Sequence, residues 1–184
     1  EQTVRQLPLL ETAAGRTLLF DAYMPVAHGA PCAPRVGCGP RLLYVMGGCG
    51  SSYNALASVE IFDPQTNGWT AGAALPAARV YTAAAALEGK IYLVGGLGDS
   101  SKVEAFDPQA GAWAEVAPMP TGRTMLTAAV VGGRLFAIGG YSGGNDLSTV
   151  EAFDPQTGVW AAVAPMPTAR RLAGAAVLDG KIYV

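Results

Sequence analysis

The apolar positions of this chain fall in short runs closed by glycine, proline or aspartate. Lys90-Ile91-Tyr92-Leu93-Val94 and Arg134-Leu135-Phe136-Ala137-Ile138 are apolar, aromatic or β-branched, and each ends at a glycine pair. Runs of that kind predict strands buried on both faces. Residues 150–153, Val-Glu-Ala-Phe, alternate apolar and polar, then stop at Asp154-Pro155, a turn signal that also removes a ladder donor. Residues 83–87 before Glu88-Gly89, and 128–131 before Gly132-Gly133, read as strands of small residues closed by tight hairpin turns. A further strand carries a tryptophan and ends at a proline, as in 160–164 before Pro165.

These patterns recur. Val59-Glu60-Ile61-Phe62-Asp63-Pro64-Gln65 aligns with Val103-Glu104-Ala105-Phe106-Asp107-Pro108-Gln109 and with Val150-Glu151-Ala152-Phe153-Asp154-Pro155-Gln156. Tryptophans follow at Trp69, Trp113 and Trp160, at intervals of 44 and 47 residues. Glycine pairs precede each unit at Gly47-Gly48, Gly95-Gly96 and Gly139-Gly140, and a proline and an arginine follow: Pro76 and Arg79, Pro120 and Arg123, Pro167 and Arg170. A period of this length holds about four strands and leaves no room for a helix. Four-stranded sheets repeated radially make a β-propeller, so the fold class is all-β. Propeller geometry explains the composition of each strand. Inner strands converge on the axis, where alanine fits and larger side chains crowd. Phenylalanine and tryptophan fill the wedge that widens outward between blades, and the glycine pair lets the neighbouring blade approach.

Glycine doublet, spaced aromatic, spaced tryptophan and this period resemble the Kelch repeat. The stretch Ala164-Pro165-Met166-Pro167-Thr168-Ala169-Arg170, followed by 175–184, is similar to repeats of the BTB-Kelch family. The resemblance covers residues 41–184 and implies a Kelch propeller, in that family a closed ring usually of six blades. About three and a half blades are legible, and the chain stops where the next glycine pair is due. Such a fan cannot close, so the expectation is a chain belonging to a longer propeller, or one whose open blade is covered by self-association or a partner. Residues 1–40 do not fit the repeat and read as an irregular N-terminal segment or linker. Within them Val4–Leu10 and Leu18–Tyr23 resemble, at shorter spacing, the helical segment that precedes Kelch repeats in BTB-Kelch adaptors.

Charge then removes function classes. Lys and Arg number 12 against 14 Asp and Glu, without a basic run, which argues against a nucleic-acid partner. No apolar run reaches the ~18 residues of a membrane-spanning helix, and Glu1-Gln2-Thr3-Val4 has no signal-peptide pattern. The expected location is cytoplasmic. His28, Cys32, Cys38 and Cys49 lack the paired-cysteine knuckle of a zinc site, and nothing indicates an oxidising compartment, so reduced thiols and no cofactor are expected. Copper oxidases that resemble Kelch propellers need two histidines, and this chain has one. Sugar-acid epimerases of that architecture need a base in a cluster of titratable groups, and none is marked here. Gly139-Gly140-Tyr141-Ser142-Gly143-Gly144 opens no helix and reads as a loop rather than a phosphate cradle. Glu60, Glu104 and Glu151, and Arg79, Arg123 and Arg170, hold constant repeat positions and read as structural, with the arginines bridging blades or bonding carbonyls.

Function on a repeated scaffold is carried by the loops that vary. In the proteins this chain resembles, the positions just past the glycine pair and two past the arginine share one rim and face a bound peptide. Here those are Cys49, Leu97 and Tyr141, then Tyr81, Met125 and Leu172, with Asp99 and Asp146 nearby. This apolar and aromatic set suits an apolar or basic segment. The resemblance therefore implies a non-enzymatic module that recognises a protein or peptide, as in the substrate receptors of cullin-type ubiquitin ligases, with the cullin contacted through a domain outside these residues. The alternatives are a Kelch-fold enzyme with catalytic residues elsewhere and a structural or designed repeat assembly.

Overall fold

The computed structural model describes residues 20–21, 42–97 and 100–184. The cysteine and histidine set at residues 28–38 and the two helix-like stretches near the N-terminus lie outside the described residues, apart from Phe20 and Asp21. Among the described residues there is no helix, as the repeat predicts.

Three four-stranded antiparallel sheets follow one another. The first orders β1 (Phe20–Asp21), β2 (Leu43–Met46), β3 (Val59–Asp63) and β4 (Gly68–Ala71). The second orders β5 (Ala83–Leu87), β6 (Lys90–Val94), β7 (Val103–Asp107) and β8 (Ala112–Val116). The third uses β9 (Thr127–Val131), β10 (Arg134–Ile138), β13 (Val150–Asp154) and β14 (Val159–Val163). Between β10 and β13 lies a small hairpin, β11 (Tyr141–Ser142) and β12 (Asn145–Asp146). The last hairpin, β15 (Ala176–Leu178) and β16 (Lys181–Tyr183), opens a fourth blade. The first strands of the blades are neighbours: β1 packs beside β5, β5 beside β9 and β9 beside β15.

The loop after Gly139-Gly140 opens no helix and is built as a small hairpin: Tyr141 pairs with Asp146 and Ser142 with Asn145. Gly143 and Gly144, at φ 56° and 88°, supply the two left-handed residues that a two-residue turn demands.

Blade contacts repeat as the residues do. In each complete blade the phenylalanine packs against the tryptophan at 5.1–5.2 Å between ring centroids, as in Phe106–Trp113 and Phe153–Trp160. The indole nitrogen then crosses to the preceding blade, Trp113 donating to the Ala73 carbonyl at 3.2 Å and Trp160 to that of Ala117 at 2.8 Å. Tyr92 meets Phe153 across the same gap, 5.9 Å between centroids. Each buried aromatic contributes on the order of 150–250 Å² of covered surface, so this wedge dominates the core.

Arginine closes the interface on the inner side. Arg123 sits in the linker between the second and third blades. Its backbone bonds the second blade, donating to Ser100 at 2.8 Å and accepting from Gly96 at 3.2 Å. Its guanidinium enters the third blade, reaching the Gly139 and Thr149 carbonyls at 3.0 and 2.8 Å and the Glu151 carboxylate at 2.7 Å. Arg79 repeats the bridge toward Gly95 and Glu104. The alternating strands therefore have no solvent-facing glutamate in these two blades: Glu104 and Glu151 are each 2% exposed. Burial lowers the Arg123 pKa, while attraction and hydrogen bonding to Glu151 act against that shift. In the Arg123–Glu151 pair the remaining polar atoms are also bonded, which offsets the cost of burying two charges.

Candidate functional site

The linkers that carry the arginines continue directly into the inner strands. Two residues past each arginine, Tyr81, Met125 and Leu172 adopt left-handed backbone, with φ of 61°, 55° and 54°. Their peptide groups bond from blade to blade: the Met125 N–H donates to the Tyr81 carbonyl at 2.9 Å, and the Leu172 N–H to the Met125 carbonyl at 2.8 Å. A second tier lies beside this ladder. Leu97 N–H donates to the Val80 carbonyl at 2.9 Å, and Tyr141 exchanges two hydrogen bonds with Thr124, at 2.8 and 3.0 Å. Residues just past the glycine pairs and those just past the arginines therefore meet on one rim.

Four of the predicted residues converge on one cavity. It measures about 290 Å³ and is lined by Cys49, Tyr81, Met125 and Leu172 together with Met46 and Tyr53, among other apolar residues. Among the described residues no charged one lines it, and Thr82, Cys49 and the tyrosines are the lining side chains with a polar atom. Leu97, 60% exposed, and the half-buried Tyr141 stand on the rim but outside the cavity wall. Asp99 lies outside the described residues. Cys49 is half-buried with a free thiol, and its backbone forms an isolated antiparallel bridge with that of Ala55.

Two participants escape a reading by repeat position. Tyr53, 78% exposed and itself left-handed at φ 59°, comes from the loop after the first glycine pair, which has its own length in each blade. Arg171 lies 4.7 Å from the centre of the Tyr141 ring and 3.1 Å from the Asp146 carboxylate. Asp146 is therefore already answered by a cation of the chain. Among the described residues no group of three or more His, Cys, Asp or Glu stands together as a metal site would require.

Comparison with known proteins agrees with this architecture. The family described as the KLHDC2/KLHL20/DRC7 Kelch-repeats domain matches residues 22–184. Beta-scruin of Limulus polyphemus is 42% identical over 55 residues, a stretch that is 30% of this chain and 6% of that protein. With four-stranded antiparallel blades, glycine doublets under arginine carbonyls, tryptophans crossing between blades and a family match over most of its length, the chain belongs to the Kelch-repeat family of β-propellers.

Proposed function

We propose that this chain is a non-enzymatic interaction module that holds a peptide or protein segment on the rim around Tyr81, Met125 and Leu172. The observation that carries the reading is the convergence of these residues and Cys49 on one cavity whose lining, among the described residues, carries no charge. An apolar side chain entering it would gain about 25 cal/mol per Å² removed from water. A charge entering it would lose hydration without finding a partner. Support for a binding role, rather than a chemical one, comes from the family, since Kelch repeats serve as protein-interaction scaffolds. In its most concrete form the module is the substrate receptor of a cullin-type ubiquitin ligase, joined to the cullin through a domain outside these residues.

Site-specific photo-crosslinking in cells tests both levels. A benzophenone amino acid at position 81 of the full-length protein is expected to capture a defined partner, whereas the same group at Glu115, exposed on the outer strand β8, is not. Adding Leu172→Ala should reduce capture about tenfold, the equivalent of ~1.4 kcal/mol. Capture from position 115 but not 81 would move the binding face to the outer strands. The ligase form requires a cullin among the proteins that co-purify with the full-length chain, and its absence would remove that form alone.

A further inference from the structure

The joint between the first and second blades buries charged groups that the next joint satisfies and this one does not. Arg79 is 3% and Glu104 2% exposed, so neither reaches bulk solvent. Arg79 Nη2 stands 3.0 Å from Glu104 Oε2, out of line for a hydrogen bond, and neither atom has a hydrogen-bond partner among the described residues. Among those residues the guanidinium is bonded to the Gly95 carbonyl, at 3.4 Å. One blade on, Arg123 meets the Thr121, Gly139 and Thr149 carbonyls and the Glu151 carboxylate at 2.7 to 3.2 Å. We infer that the first joint is an internal hydration site: one water molecule beside Ala77 accepts from Arg79 Nη2 and donates to Glu104 Oε2. The site is independent of the rim.

Departures from the repeat create it. Ala77 stands at the place of Thr121, which turns its hydroxyl and its N–H toward Glu151, at 2.7 and 3.4 Å. Alanine is shorter by the hydroxyl and the methyl, so the Glu104 carboxylate has lost a donor and a neighbour on that side. Lys102 stands at the place of Thr149 and holds the other oxygen of Glu104, Oε1, at 2.9 Å. It does nothing for Oε2.

The chemistry of the ligand follows from the atoms it must serve. Oε2 needs a donor and Nη2 an acceptor, and water is both at once. With these atoms 3.0 Å apart, an oxygen about 2.8–2.9 Å from each completes a triangle of ordinary hydrogen bonds. A buried water makes about three such bonds, and the remaining N–H groups of the guanidinium offer the third. A small anion such as chloride would answer the surplus of cations, since Arg79 and Lys102 share one carboxylate. It would also stand against the Glu104 charge and leave Oε2 without a donor, so water fits and chloride does not.

Crystals of the full-length protein grown in bromide and solved at atomic resolution provide the first test. One water oxygen is expected within hydrogen-bond distance of both Nη2 and Oε2, with none between Arg123 and Glu151. Anomalous scattering from bromide at that point would replace water by an anion and overturn the inference. A side chain of the protein seated on both atoms, or an in-line Arg79–Glu104 bond with no water beside it, would overturn it too.

Deuteron magnetic relaxation dispersion reads the same site in solution, since it counts waters held longer than the protein takes to tumble. Ala77→Thr and Ala77→Val have the same shape, and each should remove one long-lived water. Only threonine returns a hydroxyl to the carboxylate. The melting temperature should therefore hold or rise with threonine and fall by several degrees with valine, which leaves buried polar atoms unbonded. An unchanged water count in Ala77→Thr, or equal melting temperatures for the two variants, would overturn the inference.

Discussion

A hydroxyl and a lysine distinguish the two buried arginine–glutamate pairs found among the described residues. Glu151 accepts from Arg123 Nη2 and from the Thr121 hydroxyl, each at 2.7 Å, and more weakly from the Thr121 N–H at 3.4 Å. Glu104 occupies the same place one blade earlier, yet Ala77 stands where Thr121 would be. Arg79 Nη2 approaches the Glu104 carboxylate to 3.0 Å without the alignment of a hydrogen bond, and Lys102 holds its other oxygen at 2.9 Å. A hydrogen bond to a buried charge contributes about 1.5–3 kcal/mol, so Thr121→Ala should lower stability by that amount. Ala77→Thr should raise it by about 1 kcal/mol, the usual value of an added bond. Urea unfolding of both variants measures this. Equal, negligible effects would mean that Arg123 alone suffices for Glu151 and Lys102 for Glu104.

Each element depends on how closely the next blade may approach, and the first glycine of each pair sets that distance. A Cβ added at Gly95 would stand 2.5 Å from the Arg123 carbonyl oxygen, which belongs to the linker entering the next blade. At Gly139 the Arg170 carbonyl lies equally near. Gly89, in the hairpin turn after β5, shares the positive φ, 76° against 67° at Gly95, but faces open space. Comparing the two isolates the close approach from the backbone preference. Gly89→Ala should cost only the left-handed penalty of about 1–2 kcal/mol. Gly95→Ala should cost clearly more, about 3–4 kcal/mol, because the linker must also shift. Equal losses in denaturant titrations would show that the arginine linker is free to move away.

Across the whole molecule, stability is passed between neighbouring blades, since each blade is covered by the blades beside it. The largest buried cluster joins the second blade to the third through Tyr92, Leu135, Phe153 and Trp160. A second cluster joins the first to the second through Tyr44, Leu93 and Phe106. The cluster reaching the fourth blade is small, with Ala175 and Ile182 only partly covered. Amide hydrogen exchange of this chain should therefore be slowest in β6 and β10 and fastest in β15 and β16, where five of the six residues are exposed. Uniform protection across all blades would show that the chain opens as one unit instead.

Much of this architecture is legible in the sequence alone. The repeat of glycine pair, Phe, Trp, Pro and Arg marks elements whose demands are local: a turn at Asp107-Pro108, a small inner strand at Ala83–Leu87, a buried strand ending at Gly95. The recurrence of Arg123 and Glu151 indicates a structural role, and the rim positions Cys49, Tyr81, Met125 and Leu172 were reachable through the resemblance, which implies a shared rim for them. The rest arises between residues far apart in the chain. The hydroxyl of Thr121 reaches Glu151, the indole of Trp160 reaches Ala117, and Arg171 settles over Tyr141, contacts that no spacing within one repeat encodes. Tyr53 joined the cavity from a loop without a counterpart of the same length, where periodicity has nothing to say. Local chemistry thus determines which strands form and in what order. Which polar groups are satisfied, and which side chains share a cavity, follows from how one blade is rotated against the next, because only that rotation brings separate repeats within hydrogen-bond reach.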